Sequence, residues 1–217
     1  RATGELVGAW GSYGADPAQF DAPEDVAVDS SVTRLYVADT GNRRVQVLHP
    51  RSGALLGAWP VAGLPRGISV ADDGSVYVAD SAGARVLKYT PDGTLTDALG
   101  EPGPDGDRPL ELPLGLDAGA GGGAAGGGEV VVADAGAQRI VWLDGGRPEG
   151  DQVVRTLALD SRSSPGGVPL DVAVDDDDVY ISVDRGVLHY ANGTYRTTHP
   201  PLQEYSHPDC PMPDPCR

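Results

Sequence analysis

Cysteine is almost missing from this chain: of 217 residues only Cys210 and Cys216 carry thiols, and both fall in the C-terminal tail. The body of the chain is therefore built without disulfides, and neither thiol stands in a catalytic setting. Positive charge is scarce too, with 16 basic residues against 32 acidic ones and a net charge of -16. Nucleic acids and anionic membranes both require a cationic surface, so neither is an expected partner. Lys88 is the single lysine among the basic residues, and no function is drawn from that Arg excess. No apolar run approaches the ~20 residues of a membrane helix, so no direct membrane insertion is expected. A sustained 3.6-residue apolar period is absent as well, which argues against long helices. The chain opens at Arg1 with neither Met nor a signal-peptide pattern, and is expected to be processed from, or part of, something larger.

What the sequence has instead is 31 Gly and 19 Pro, punctuating short stretches of period-two apolar alternation. That is the pattern of an all-β chain with tight hairpins, and 217 residues suffice for one sizeable core. A repeat organises it. The segments PEDVAVD from Pro23, PRGISVA from Pro65, PLGLDAG from Pro113 and PLDVAVD from Pro169 align as proline-started strands. Each is followed by a second strand (RLYVADTGN, SVYVADSAG, EVVVADAGA, DVYISVDRG) and a third (RRVQVLHP, ARVLKYTP, QRIVWLDG, GVLHYANG). A fourth follows in GALLGAWP, GTLTDALG and QVVRTLAL, with TYRTTHP as the candidate in the last unit. Four-stranded units repeating every ~40 to 55 residues are blades of a β-propeller. The reading is thus an all-β propeller over residues 1–198, with four four-stranded blades starting near 23, 65, 113 and 169, and a Pro-rich tail over 199–217. The initial GELVGAWG matches GALLGAWP, with Trp10 at the place of Trp59. It reads as an orphan N-terminal outer strand in which Leu6 and Val7 should pair, either closing the ring on the last blade or belonging to a preceding blade.

The string GSYGADPAQFDAPEDVAVDSSVTRLYVADTGNRRVQVL, residues 11–48, resembles an NHL repeat, whose pattern runs roughly G-x-F-x-x-P-x-G-V-A-V-D and then Y-V-A-D-x-x-N-x-R-V-Q-V. The similarity weakens in the second and third units and is degraded in the fourth, where Val183 takes the aspartate's place and the arginine is missing. The resemblance implies a propeller, usually of six blades, that binds on a face over its central channel.

Asp39-Thr40-Gly41 matches the D-[TS]-G triplet of aspartic proteases, in which two carboxylates share a proton. The copies of this place read Asp80-Ser81-Ala82 and Asp134-Ala135-Gly136, which points elsewhere. Asp39 with Arg44, Asp80 with Arg85 and Asp134 with Arg139 are each five residues apart across a tight turn. There an Arg fork can donate to the carboxylate or to turn carbonyls, so these are read as structural pairs.

Other signatures fail on context. Gly119 to Ala124 fits G-x-G-x-x-[GA], but a dinucleotide site needs a helix opening at that loop, and this loop runs into the strand EVVVAD. Asp175 to Asp178 lack the alternating spacing, central Gly and distal Glu of an EF-hand and read as a solvated turn, with a cation site as the alternative. An amidating lyase similar to this repeat carries zinc on histidines that follow the blade-start prolines. Here those positions are Glu24, Arg66, Leu114 and Leu170. Propeller lactonases gather Glu, Asn and Asp around calcium, whereas the asparagines here, Asn42 and Asn192, sit in turns. No catalytic residue, metal ligand or cofactor is therefore assigned.

Asn192-Gly193-Thr194 is both a hairpin turn signal and a glycosylation sequon. Cysteines confined to a proline-rich tail suit an extracellular or cell-surface chain, with a Cys210 to Cys216 disulfide, bonds to other chains or to cysteines beyond this segment, or free thiols as the alternatives. The expected function is a non-catalytic interaction or scaffold module, contacting another protein or a neighbouring module of one assembly near Glu24, Asp25, Arg66 and Asp171. The alternative is a propeller enzyme, lyase-like or lactonase-like, whose metal site is incomplete in this chain.

Overall fold

The structure, a computed structural model, describes residues 4, 6–101, 109–119, 129–145, 152–159, 167–175, 178–184, 186–191 and 194–195. The sequon at Asn192, the tail with Cys210 and Cys216, and most of the glycine-rich loop lie outside the described residues.

Four antiparallel sheets follow one another along the chain. Blade 1 comprises β1 (Pro23–Val28), β2 (Leu35–Asp39), β3 (Arg44–Leu48) and β4 (Leu55–Pro60). Blade 2 comprises β5 (Pro65–Val70), β6 (Val76–Asp80), β7 (Arg85–Tyr89) and β8 (Leu95–Leu99). Blade 3 comprises β9 (Pro113–Asp117), β10 (Glu129–Asp134), β11 (Arg139–Asp144) and β12 (Val153–Ala158). Blade 4 comprises β13 (Pro169–Asp175), β14 (Asp178–Val183), β15 (Gly186–Ala191) and β16 (Thr194–Tyr195). Each blade opens on a proline because the first position of a strand can forgo the missing N–H.

Alternation along the strands divides their side chains between two apolar layers. Tyr36, Ala38, Val45 and Val47 of blade 1 pack against Ile68, Val76 and Val78 of blade 2. Tyr77, Ala79, Val86 and Leu99 pack against Leu116, Val130 and Val132 of blade 3. Val131, Ala133, Ile140 and Trp142 pack against Val172, Val179 and Ile181 of blade 4. Each large apolar side chain removed from water contributes about 1.5 to 3 kcal/mol, so the face-to-face layers dominate cohesion.

The first strands adjoin one another in the order β1, β5, β9, β13 and line the inside. Space is short there. A Cβ on Gly67 would lie 2.4 Å from the Leu114 carbonyl oxygen, and one on Gly115 would lie 2.0 Å from Asp171 Oδ1.

The segment at 6–12 departs from the expectation of a paired outer strand. It forms no strand, and Leu6 and Val7 are exposed. The outer edge of β3 is taken by β4, and at the outer edge of β15 Tyr190 and Ala191 pair with β16. Trp10 nevertheless lies over Gly53 at the β3–β4 turn, as Trp59 lies over Gly93 at the β7–β8 turn.

Candidate functional site

The second and third strands of each of the first three blades join through a turn closed by a left-handed residue: Arg43 (φ 52°), Ala84 (φ 52°) and Gln138 (φ 51°). Without glycine this conformation costs roughly 1 to 2 kcal/mol. Beside each turn sits an aspartate that returns that cost. Asp39 is fully buried and accepts from Arg44 Nε (2.7 Å), Asn42 Nδ2 (2.9 Å), Gln46 Nε2 (3.1 Å) and the backbone N–H of Asp21 (2.8 Å). Asp80 accepts from Arg85 Nε (3.2 Å) and from the backbone of Gly83 and Leu64, each at 3.0 Å. Asp134 accepts from Arg139 Nε (2.9 Å), Glu111 N (3.0 Å) and Leu112 N (2.9 Å).

Asp21, Leu64 and Leu112 all lie just ahead of a blade-start proline. Each aspartate therefore pins the chain as it enters its own blade, and the arginine continues the tie: Arg44 donates to the carbonyls of Ala15, Asp16 and Gln19, and Arg139 to that of Pro109. The Asp39-Thr40-Gly41 triplet is such a pin. Its carboxylate already meets four donor groups, which leaves it unlike a proton-sharing dyad. Blade 4 keeps the device in altered form. Val183 occupies the usual place, and the next residue, Asp184, accepts from Val168 N at 3.2 Å, just ahead of Pro169.

A second set of contacts stitches neighbouring blades. Thr40 Oγ1 donates to the Pro65 carbonyl at 2.6 Å, and Ser81 Oγ donates to that of Pro113. On the first strands, Asp25 Oδ2 accepts from Ile68 N (2.8 Å), Ser69 Oγ from Ala118 N (3.2 Å) and Asp117 Oδ2 from Val174 N (2.8 Å). Sequence reasoning missed Thr40, Ser81, Ser69, Asp117 and Asp184. The recurrence of a hydroxyl after the aspartate, at 40 and 81, was the available signal for the first two.

The residues predicted to form a contact face gather where the blades begin. Glu24 and Arg66 form an ion pair across blades 1 and 2 at 2.7 Å, both partly exposed. Leu170 is exposed and Leu114 half-buried, so the four post-proline positions present an ion pair and two leucines. Leu112, also exposed, extends the apolar part. Asp25, half-buried, and Asp171, exposed, stand at the same end of the first strands; each accepts from the N–H of the next residue, and desolvation raises the pKa of both carboxyls. Asp25 and Asp117 lie near enough to Asp171 to raise it further.

At the far end of blade 4, Asp175 and Asp178 face each other across the β13–β14 turn. Asp178 Oδ2 lies 3.3 Å from His189 Nε2, a contact without hydrogen-bond alignment, and the His189 ring stacks on Tyr180 at 4.5 Å. Among the described residues no three His, Cys, Asp or Glu side chains are placed to hold a metal ion.

A family model of the NHL repeat matches residues 63–89, from the approach to β5 through β7. The human NHL repeat-containing protein 3 is 47% identical over 49 residues, a stretch that is 23% of this chain and 14% of that protein. Among solved structures, virginiamycin B lyase from Staphylococcus aureus superposes with a TM-score of 0.56 at 15% identity, over 77% of this chain and 50% of that one. Kuenenia stuttgartiensis hydrazine synthase superposes with a TM-score of 0.60 at 16% identity, over 85% of this chain and 51% of that one. The chain thus spans about half the length of these solved chains and a small part of the curated relative. At such identities the solved structures speak for the fold alone.

Proposed function

We propose, from the premise that the chain belongs to the NHL-repeat β-propellers, that it is a non-catalytic interaction or scaffold module in an extracellular or cell-surface assembly. The observation that carries this reading is the make-up of the face where the blades begin. Exposed Leu112 and Leu170 stand there with the solvent-accessible Glu24–Arg66 pair. Apolar anchors beside a polar, ion-paired rim suit a polypeptide partner. The buried aspartates, by contrast, are engaged by backbone and arginine donors and serve the fold. An extracellular setting rests on the sequence alone, from the cysteine-bearing tail.

The competing reading is a propeller enzyme with a metal. Metal analysis of the purified chain after dialysis separates the two. The expected result is zinc and calcium far below one equivalent, and a stoichiometric, tightly held zinc would overturn the non-catalytic assignment.

A further inference from the structure

Each exposed leucine of the blade-start face has an acidic neighbour in the chain: Glu111 precedes Leu112, and Asp171 follows Leu170. The two pairs belong to blades 3 and 4, whose first strands adjoin. Glu111 and Leu112 sit together over the blade 3 turn, where a Cβ on Gly136 would be 2.8 Å and 3.1 Å from theirs. Asp171 Oδ1 leans back over β9, 2.0 Å from where a Cβ on Gly115 would stand. The charges around these leucines do not balance. Arg44, Arg85 and Arg139 are spent on the buried aspartates, and Arg66 is held by Glu24. Among the described residues the exposed Glu111 carboxylate has no partner, and that of Asp171 has the Val172 N–H alone. Desolvation, and then the charges of Asp25 and Asp117, raise the Asp171 pKa, so a cation arriving there meets a negative potential.

We propose that the blade-start end of blades 3 and 4 receives a basic segment of another polypeptide, whose apolar side chains cover Leu112, Leu114 and Leu170 while an arginine or lysine meets Glu111 or Asp171. The inference rests on the reading of this face as a polypeptide contact and adds the partner's charge. Charge complementarity selects the occupant. An acidic segment would bring like charge to both carboxylates, and the guanidinium nearest in the repeat, that of Arg66, already has its counter-ion. Covering the leucines supplies most of the affinity, because exposed ion pairs contribute little, and the carboxylates supply the selection. These residues stand at the blade-start end and not on the sides of blades 1 and 4.

Fluorescence anisotropy with three labelled peptides, built of repeated Leu-Arg, Ser-Arg or Leu-Glu dipeptides, tests this. The Leu-Arg peptide is expected to bind the 217-residue chain, the Ser-Arg peptide about fivefold or more weakly, and the Leu-Glu peptide not at all. Leu170→Ser should weaken the Leu-Arg complex about fivefold or more, and Glu111→Gln and Asp171→Asn about two- to fivefold each, with wild-type circular dichroism spectra throughout. Added salt should weaken it too. Glu129→Gln, which removes an exposed carboxylate at the opposite end of blade 3, should leave it unchanged. A Leu-Arg affinity indifferent to Leu170→Ser, or lowered as much by Glu129→Gln as by Glu111→Gln, reduces the binding to attraction by the net charge of -16 and overturns the proposal. A Leu-Glu peptide that binds through Leu170 overturns the basic partner and leaves the polypeptide reading in place. Failure of all three peptides to bind overturns both.

Discussion

Asp39 shows how much one carboxylate can organise. Truncating it orphans the Asp21 N–H, one N–H of the Gln46 amide and part of the Arg44 fork together. Asp39→Ala is therefore expected to lower stability by about 3 kcal/mol, the upper end for an unsatisfied buried group with charged partners. Arg44→Ala should cost a similar amount, because it leaves the buried Asp39 carboxylate without its counter-charge. Urea unfolding checks both, and wild-type midpoints would contradict the pin. The Asp–Arg pairs were legible because a five-residue spacing across a two-strand turn is a local fact. Asp184 was not: it stands one position off the repeat, and only the folded path of the chain brings its carboxylate to Val168. Nor could sequence tell that Asp25 and Asp171 spend their oxygens on backbone N–H groups, since that depends on how closely the first strands approach.

Between elements, fit replaces charge. β5 and β9 run so close that Gly67 faces the Leu114 carbonyl with no room for a methyl group. Gly67→Ala forces the two strands apart and is expected to cost about 1 to 3 kcal/mol, the usual penalty of overpacking. Its urea midpoint should fall while that of Gly57→Ala, where a Cβ meets nothing within 4 Å, falls less. The strands themselves were legible from proline starts and alternation, and all four sheets follow them. The segment GELVGAWG has the composition of β4, but a strand needs an edge, and the edge of β15 is taken by β16, which removes closure on the last blade and leaves the alternative of a preceding blade.

At the scale of the whole molecule, the inner strands bring Asp25 of blade 1 and Asp117 of blade 3 within electrostatic range of Asp171 of blade 4. Asp171 is exposed as a residue, but desolvation of its carboxyl against the neighbouring strands is the main cause that raises it, so the folded state holds its proton more tightly than the unfolded chain does. The stability it contributes is full below the unfolded carboxyl pKa of ~3.9 and is lost as pH rises through the folded value. Asp171→Asn should accordingly gain in melting temperature relative to wild type at pH 7, with the gain shrinking toward pH 4. A constant difference across that range would show that the charge is not what matters. The pins have a wider consequence. Asp39, Asp80 and Asp134 each reach back only 16 to 23 residues, whereas the stitches between first strands span 43 to 57. A blade carries its own address: it can close early on short loops and dock later. A whole repeat could then be duplicated or deleted in a gene without severing any pin, which makes blade number the most evolvable property of such a ring.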